Sequence, residues 1–201
     1  ERFNSFPLNI TEQLREVSPD IPVIKLYHRI SGKVIEELEH VPSLPLERIF
    51  IWNGDTKLFL ACIKSIEDEL NVIKDTGLAG IRVIIFVEDS ARYLSSLLPV
   101  LYEELVKQTR RVMKKGLNEE HRLLAMRVRP KIMVASSFET AMELFEKFEP
   151  YVLGVISDVR YARNGVVNER AGFDLLDTIH KRRFDIPLLM TSSESCNAER
   201  A

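Results

Sequence analysis

Little in this chain of 201 residues can act as covalent or metal-held scaffolding. There are two cysteines, Cys62 in an apolar helical pattern and Cys196 near the end. No disulfide framework can be read from them, and a reducing compartment is expected. The four histidines, His28, His40, His121 and His180, are scattered without ligand spacing, and none is given a metal or phosphorelay role. No apolar run approaches the roughly 18 to 20 residues that a bilayer span needs. The opening "ERFNSFPLNITEQL" lacks the charged-then-apolar order of a signal peptide, so a cytoplasmic chain with no membrane partner is expected. Charge of one sign is also missing: 28 Lys and Arg against 30 Asp and Glu leave a formal net charge of −2 and no overall pull toward nucleic acid. There is no glycine-rich phosphate loop, since "GLAGIR" precedes a strand instead of opening a helix.

What the chain does have is apolar content, 45% hydrophobic residues, sufficient for a real core. Six short β-branched runs stand out: "IPVIKLY" (21–27), "RIFIW" (48–52), "RVIIFV" (82–87), "KIMVA" (131–135), "VLGVIS" (152–157) and "IPLLM" (186–190). Runs without alternation are typical of strands covered on both faces, and helical patterns separate them. The fold class predicted is therefore α/β, a doubly wound parallel sheet. Phe59, Cys62, Ile63, Ile66, Leu70 and Ile73 recur at steps of three and four residues and predict a long helix, ending before Gly77 and Gly80, whose stripe is expected to pack on its own sheet, a linker or dimer helix being the alternative. A second helix is predicted from Leu94 to Gly116, with Pro99 kinking it or marking its true start. Further helices are expected at "NEEHRLLAMRV", at "SSFETAMELFEKF" (136–148) and at "AGFDLLDTIHKRR" (171–183). The nine basic residues from Lys107 to Lys131, Arg129 among them, read as a solvated helical face. "REVSPDIPVIKLYHRIS" and "HKRRFDIPLLMTSSES" echo one another, which suggests two copies of one kind of domain joined near "KDTGLAGIR" (74–82).

Ligands of open parallel sheets bind at the carboxyl ends of the strands. Three of those ends carry polar groups: Glu88 and Asp89 after "VIIFV", Asp158 after "VLGVIS", and Thr191, Ser192 and Ser193 after "PLLM". Clustered carboxylates repel one another, and a divalent cation removes the conflict. Magnesium is expected because it takes a few carboxylates, keeps waters, and completes its octahedron with phosphate oxygens. An aspartate beside such an ion can act as a nucleophile toward phosphorus, and a hydroxyl at the third strand end can bond the new phosphoryl group.

These residues resemble the response-regulator receiver domain of bacterial two-component systems, over about residues 81–201. "VEDS" looks like the family's acidic pair, Asp158 in "GVISDVR" like its phospho-acceptor, and "GFDLLDTIHKRRFDIPLLMTSS" like its third helix and fourth strand. The resemblance implies a flavodoxin-like fold, magnesium held by Glu88, Asp89, Asp158 and the backbone carbonyl of Arg160, and a switch hydroxyl on Ser192, with Thr191 one place early. It also implies a sensor histidine kinase or other phosphodonor, an output domain in the parent chain, and a homodimer as partners. The pattern departs from the family in a helical insertion at about 107–130, in a long loop "VRYARNGVVNERAG" without the usual proline, and in stopping before the fifth strand with its lysine.

Residues 1–76 resemble the carboxyl-terminal half of a degenerate receiver, with Tyr27 at the switch position and Trp52 and Asn53 where a lysine and proline belong. Residues 77–201 then form the second copy. "RIFIW" is expected to pair with an incomplete sheet edge, within the chain or across a dimer. Tandem receivers with the "EEHRLLAMRVRPKI" insertion also look like the amino-terminal region of phosphoenolpyruvate synthase or pyruvate phosphate dikinase type enzymes. Two alternatives stay open. One is a pseudo-receiver serving as a docking or dimerisation scaffold. The other, weaker because Arg160 stands where a general acid belongs, is an aspartate-dependent phosphatase.

Overall fold

The computed structural model describes residues 13–14, 16–18, 21–28, 47–114 and 129–192. The predicted helix at "NEEHRLLAMRV", most of the insertion, Ser193 and Cys196 lie outside them. By packing, the chain divides into two compact units, Glu1–Asp55 and Thr56–Ala201.

In the first unit, β1 (Val23–His28) and β2 (Glu47–Trp52) pair in parallel with unbroken register from Val23↔Glu47 to His28↔Trp52. "RIFIW" therefore finds its partner within the chain. Phe50 and Ile51 are buried, and the His28 and Trp52 rings meet edge to face at 5.7 Å.

The second unit is a four-stranded parallel sheet in the order β4-β3-β5-β8, flanked by helices. Its strands are β3 (Val83–Val87), β4 (Lys131–Ala135), β5 (Val152–Asp158) and β8 (Leu188–Thr191). The helices are α1 (Lys57–Ala79), α2 (Ala91–Lys114), α3 (Phe138–Phe148) and α4 (Ala171–Arg182). Val83, Ile85 and Val87 point to one face, where they join Met133, Ala135 and Val155 and the inward residues Ala141 and Phe145 of α3 and Leu175 and Ile179 of α4. Phe86 alternates to the other face and is also fully buried, as pleating requires for a strand covered on both sides. Ser137 caps α3, its hydroxyl accepting the Thr140 N–H at 3.1 Å. Helix α2 starts at Ala91 and passes through Pro99, so the proline does not mark its beginning.

Three sequence expectations differ from what is observed. Helix α1 belongs by packing to the second unit, so the division falls at 55/56, whereas the sequence reading placed the join at 74–82. The helix also runs past Gly77 and ends at Gly80, whose φ of 61° places it in the left-handed region that closes a helix without steric cost in glycine. Second, α1 buries Leu58, Ala61, Cys62, Ser65, Asp68 and Val72, while Phe59, Ile63, Leu70 and Ile73 of the predicted stripe are exposed. Third, the long loop after Asp158 contains a β-hairpin, β6 (Tyr161–Arg163) and β7 (Val166–Asn168). Its two-residue turn is Asn164-Gly165, with φ of 53° and 75°, the backbone that twists in step with the strands it joins.

Arg129 and Lys131 do not belong to a solvated basic face either. Both are buried against Asp68, itself 0% exposed. Asp68 accepts from both terminal nitrogens of Arg129, from the Tyr102 hydroxyl at 3.0 Å and from the Ile132 backbone N–H at 2.9 Å. The Lys131 ammonium lies 3.6 Å away and pairs with Asp75 at 2.7 Å. Burial alone would lower the pKa of the Arg129 guanidinium, but the hydrogen bonds and charge of Asp68 hold it above its ordinary value. Asp68 thus ties α1, α2 and β4 together through one carboxylate.

Candidate metal centre

Strands β3 and β5 are hydrogen-bonded neighbours at the middle of the sheet, and both end at the same edge. Glu88 follows β3 directly. Its backbone N–H continues the parallel ladder to the Ala135 carbonyl at 2.9 Å, and one carboxylate oxygen accepts the Ser90 N–H at 3.1 Å. These bonds hold a buried glutamate at the strand end. Asp89, next in the chain, is exposed, and Asp158 closes β5 half-buried. One carboxylate oxygen from each of Glu88, Asp89 and Asp158 lies within 4.8 Å of the others. Two oxygens on opposite sides of one magnesium ion stand about 4.2 Å apart, so small side-chain rotations suffice for shared coordination. The cluster can hold a metal ion, and its all-oxygen donor set suits a hard one.

The surroundings keep Asp158 in place. Arg160 donates its backbone N–H to an Asp158 carboxylate oxygen at 3.3 Å, and its side chain is exposed. Ser157, fully buried, donates to the Asp158 carbonyl at 2.8 Å and lies 3.0 Å from the Tyr161 hydroxyl. Burial pushes the pKa of that phenol well above its ordinary range. Its hydrogen bond to Ser157 opposes the rise, and the charges of Asp158 and Asp89 add to it. It therefore stays a neutral phenol, buried against Ser157. On the other side, Gly172 in the first turn of α4 donates its N–H to the Val159 carbonyl at 3.0 Å, and a Cβ there would strike the Asp158 carbonyl oxygen. Only glycine lets the helix approach the strand end this closely.

The third strand end contributes hydroxyls. Thr191 pairs with Asp158 across β5 and β8, and its Oγ1 is 3.4 Å from the Ser157 carbonyl. Ser192 stands one residue beyond, exposed. The register therefore sets Thr191, not Ser192, directly beside Asp158.

The hairpin β6-β7 is fastened next to this edge. Arg163 pairs with Asp174 at 2.7 Å and stacks over the Phe138 ring at 4.3 Å. Asn164 donates its N–H to Glu139 at 2.8 Å, and that bond holds the Glu139 carboxyl below its usual range. Sequence reasoning did not pick out Ser157, Tyr161 or Gly172. Their roles depend on backbone approaches that leave no motif, although the Asn-Gly pair was a readable hairpin signal.

Cys62 is buried, and burial pushes its thiol up to about 11, so it is an unreactive core residue. Among the described residues no helix is long and apolar enough to cross a membrane. No family model, curated protein or solved structure matches the chain.

Proposed function

We propose that residues 56–201 form a phosphorylation-controlled receiver module of the two-component type, with Asp158 as phospho-acceptor and magnesium as its metal. The observation that carries this reading is the meeting of Glu88, Asp89 and Asp158, from two different strand ends, within 4.8 Å. The strand order β4-β3-β5-β8 supports it, because a flavodoxin-like sheet places its first and third strands side by side at the switch point. Magnesium, when bound by the three acids and the Arg160 carbonyl, neutralises charge on the transferring phosphoryl group. The work of the chain's own residues is to hold the acceptor. Glu88 and Asp89 would hold the metal beside it. The Arg160 N–H orients one oxygen of Asp158, leaving the other to attack phosphorus in line. In that step a new O–P bond forms on Asp158 and the bond between phosphorus and the donor's leaving group breaks, the leaving group departing with the electron pair. Ser192, one residue beyond β8, is the hydroxyl that contacts the new phosphoryl group, with Thr191, the last residue of the strand, as its neighbour. A histidine kinase or a small phosphodonor supplies the group.

The first unit is read as the remnant of a second receiver, a reading supported by the parallel pairing of β1 with β2, as for the fourth and fifth strands of such a sheet. Tyr27, next to the end of β1, and Trp52, at the end of β2, stand where such a receiver would carry its switch hydroxyl and its lysine.

The test is magnesium titration by calorimetry, followed by incubation with a small phosphodonor or beryllofluoride and intact-mass analysis. Wild type binds the ion and gains one phosphoryl group or its mimic, whereas Asp158→Asn gains none. No response to magnesium, or equal modification of Asp158→Asn, overturns the proposal in favour of a docking scaffold.

A further inference from the structure

We infer that α1 is a dimerisation helix, whose occupant is α1 of a second copy of this chain, parallel and in register. The helix has two apolar faces. One, through Leu58, Ala61, Cys62, Asp68 and Val72, is used up by its own domain. The other is turned roughly 130° away around a helix of about 3.6 residues per turn. It consists of Phe59, Ile63, Ile66, Leu70 and Ile73, and of these Phe59, Ile63, Leu70 and Ile73 are 43%, 65%, 57% and 63% exposed.

The spacing of this second face identifies what covers it. Its steps run four, three, four, three, and a further step of four reaches Gly77, exposed. That is the alternation of a coiled-coil seam, which meshes with a helix of the same period instead of with a flat sheet or a groove. Ile63 and Leu70 then hold the first core position of successive heptads, and Phe59, Ile66 and Ile73 the other.

Charge along the flanks sets the direction. In a parallel pair, Glu69 of one copy faces Lys74 of the other, and symmetry repeats the attraction. In the antiparallel arrangement centred on the same seam, Glu69 meets Glu69 of the second copy, which is repulsive, while Glu67 is already paired with Lys64 of its own helix at 2.5 Å. The number of strands follows from packing. Isoleucine at both core positions by itself favours three or four helices. Here one flank of the seam, at Cys62 and Thr76, is already buried inside the domain. Room remains for a single neighbour, and a dimer results. A seam this short associates at micromolar concentrations or weaker.

The experiment is sedimentation equilibrium on the full chain up to about 200 µM, a range set by the affinity expected of so short a seam. Wild type is expected as a concentration-dependent dimer. Ile63→Glu/Leu70→Glu, at two exposed positions, should weaken association at least about a hundredfold with circular dichroism and magnesium titration unchanged. Glu69→Lys alone should weaken it about threefold to tenfold, and Glu69→Lys/Lys74→Glu should restore it. In a Cys62→Ala/Cys196→Ser background, Ile73→Cys should give a covalent dimer on mild oxidation, because a parallel seam places that residue opposite itself. A wild type that stays monomeric over this range, its face then covered by its own chain or by another protein, overturns the inference. So does a double glutamate variant that still dimerises, a failed charge restoration, or a dimer that Ile73→Cys does not cross-link.

Discussion

Asp68 is wholly buried and surrounded by donors: a guanidinium, a phenol, a backbone N–H and a nearby ammonium. Glu88, Asp89 and Asp158, at the strand ends of the same domain, instead crowd one another within 4.8 Å. Both are concentrations of negative charge in partly desolvated surroundings, but they solve the problem differently. The first is completed within the fold, with cations contributed by residues 61 and 63 positions further along the chain. The second gathers acids with acids, an arrangement that becomes favourable once a cation enters. Asp68 is satisfied by donors and cations of its own fold, whereas the other three together form a candidate cation site.

The largest effect that would sharpen this contrast is expected from Asp68→Ala. It leaves Arg129 buried without its counter-charge and Lys131 with Asp75 alone, and should cost about 3–5 kcal/mol in urea unfolding. A loss under about 1 kcal/mol would break the contrast, since the carboxylate would then not be what satisfies those cations.

Asp158→Asn should behave in the opposite sense. Without metal it relieves repulsion and should stabilise the domain by about 1 kcal/mol. At a hundredfold excess of magnesium over its Kd, wild type should gain about 2.7 kcal/mol that the variant lacks. Thermal melts with magnesium and with chelator read both numbers.

Gly172→Ala comes third. Its Cβ would press on the Asp158 carbonyl, shift the start of α4, and cost about 1–3 kcal/mol, with weaker magnesium binding as the second readout.

The smallest effect belongs to a third kind of carboxylate, one exposed at the surface. Glu103 bonds Lys57 at 2.7 Å and Lys107 at 2.9 Å, and those hydrogen bonds draw its pKa from 4.5 down to about 2. A depressed folded-state pKa means that the contribution is fully present above pH 4.5 and is lost as pH falls through about 2. Solvent and salt screen an exposed pair, so Glu103→Gln should shift the melting temperature only slightly at neutral pH, and less as pH falls toward about 2.

Much of this was legible in the sequence, for physical reasons. Strands buried on both faces must be short, apolar and unalternating, so "VIIFV", "KIMVA" and "VLGVIS" declared themselves. Parallel strands end together, so acids after two of them had to be neighbours if those strands were. Asp68 was not legible. It sits within "EDE", which reads as a solvated helical face, and its burial is created by Tyr102, Arg129 and Ile132, none of them local. The face of α1 was misassigned for a related reason: periodicity locates an apolar stripe but does not say which partner covers it. The smaller face, made of Ala61, Cys62, Ser65 and Asp68, is the one that fits against the domain.

The Ile132 N–H that Asp68 accepts points outward from β4, the outermost strand on its side, where α1 also lies. A helix and a carboxylate together stopper that rim, so no foreign strand can dock there and template stacking in that direction. Among the described residues the opposite edge is β8, which leaves the sheet that direction of extension. Any strand that enlarges it, from this polypeptide or another, must enter beside Thr191, and so arrives next to the acids.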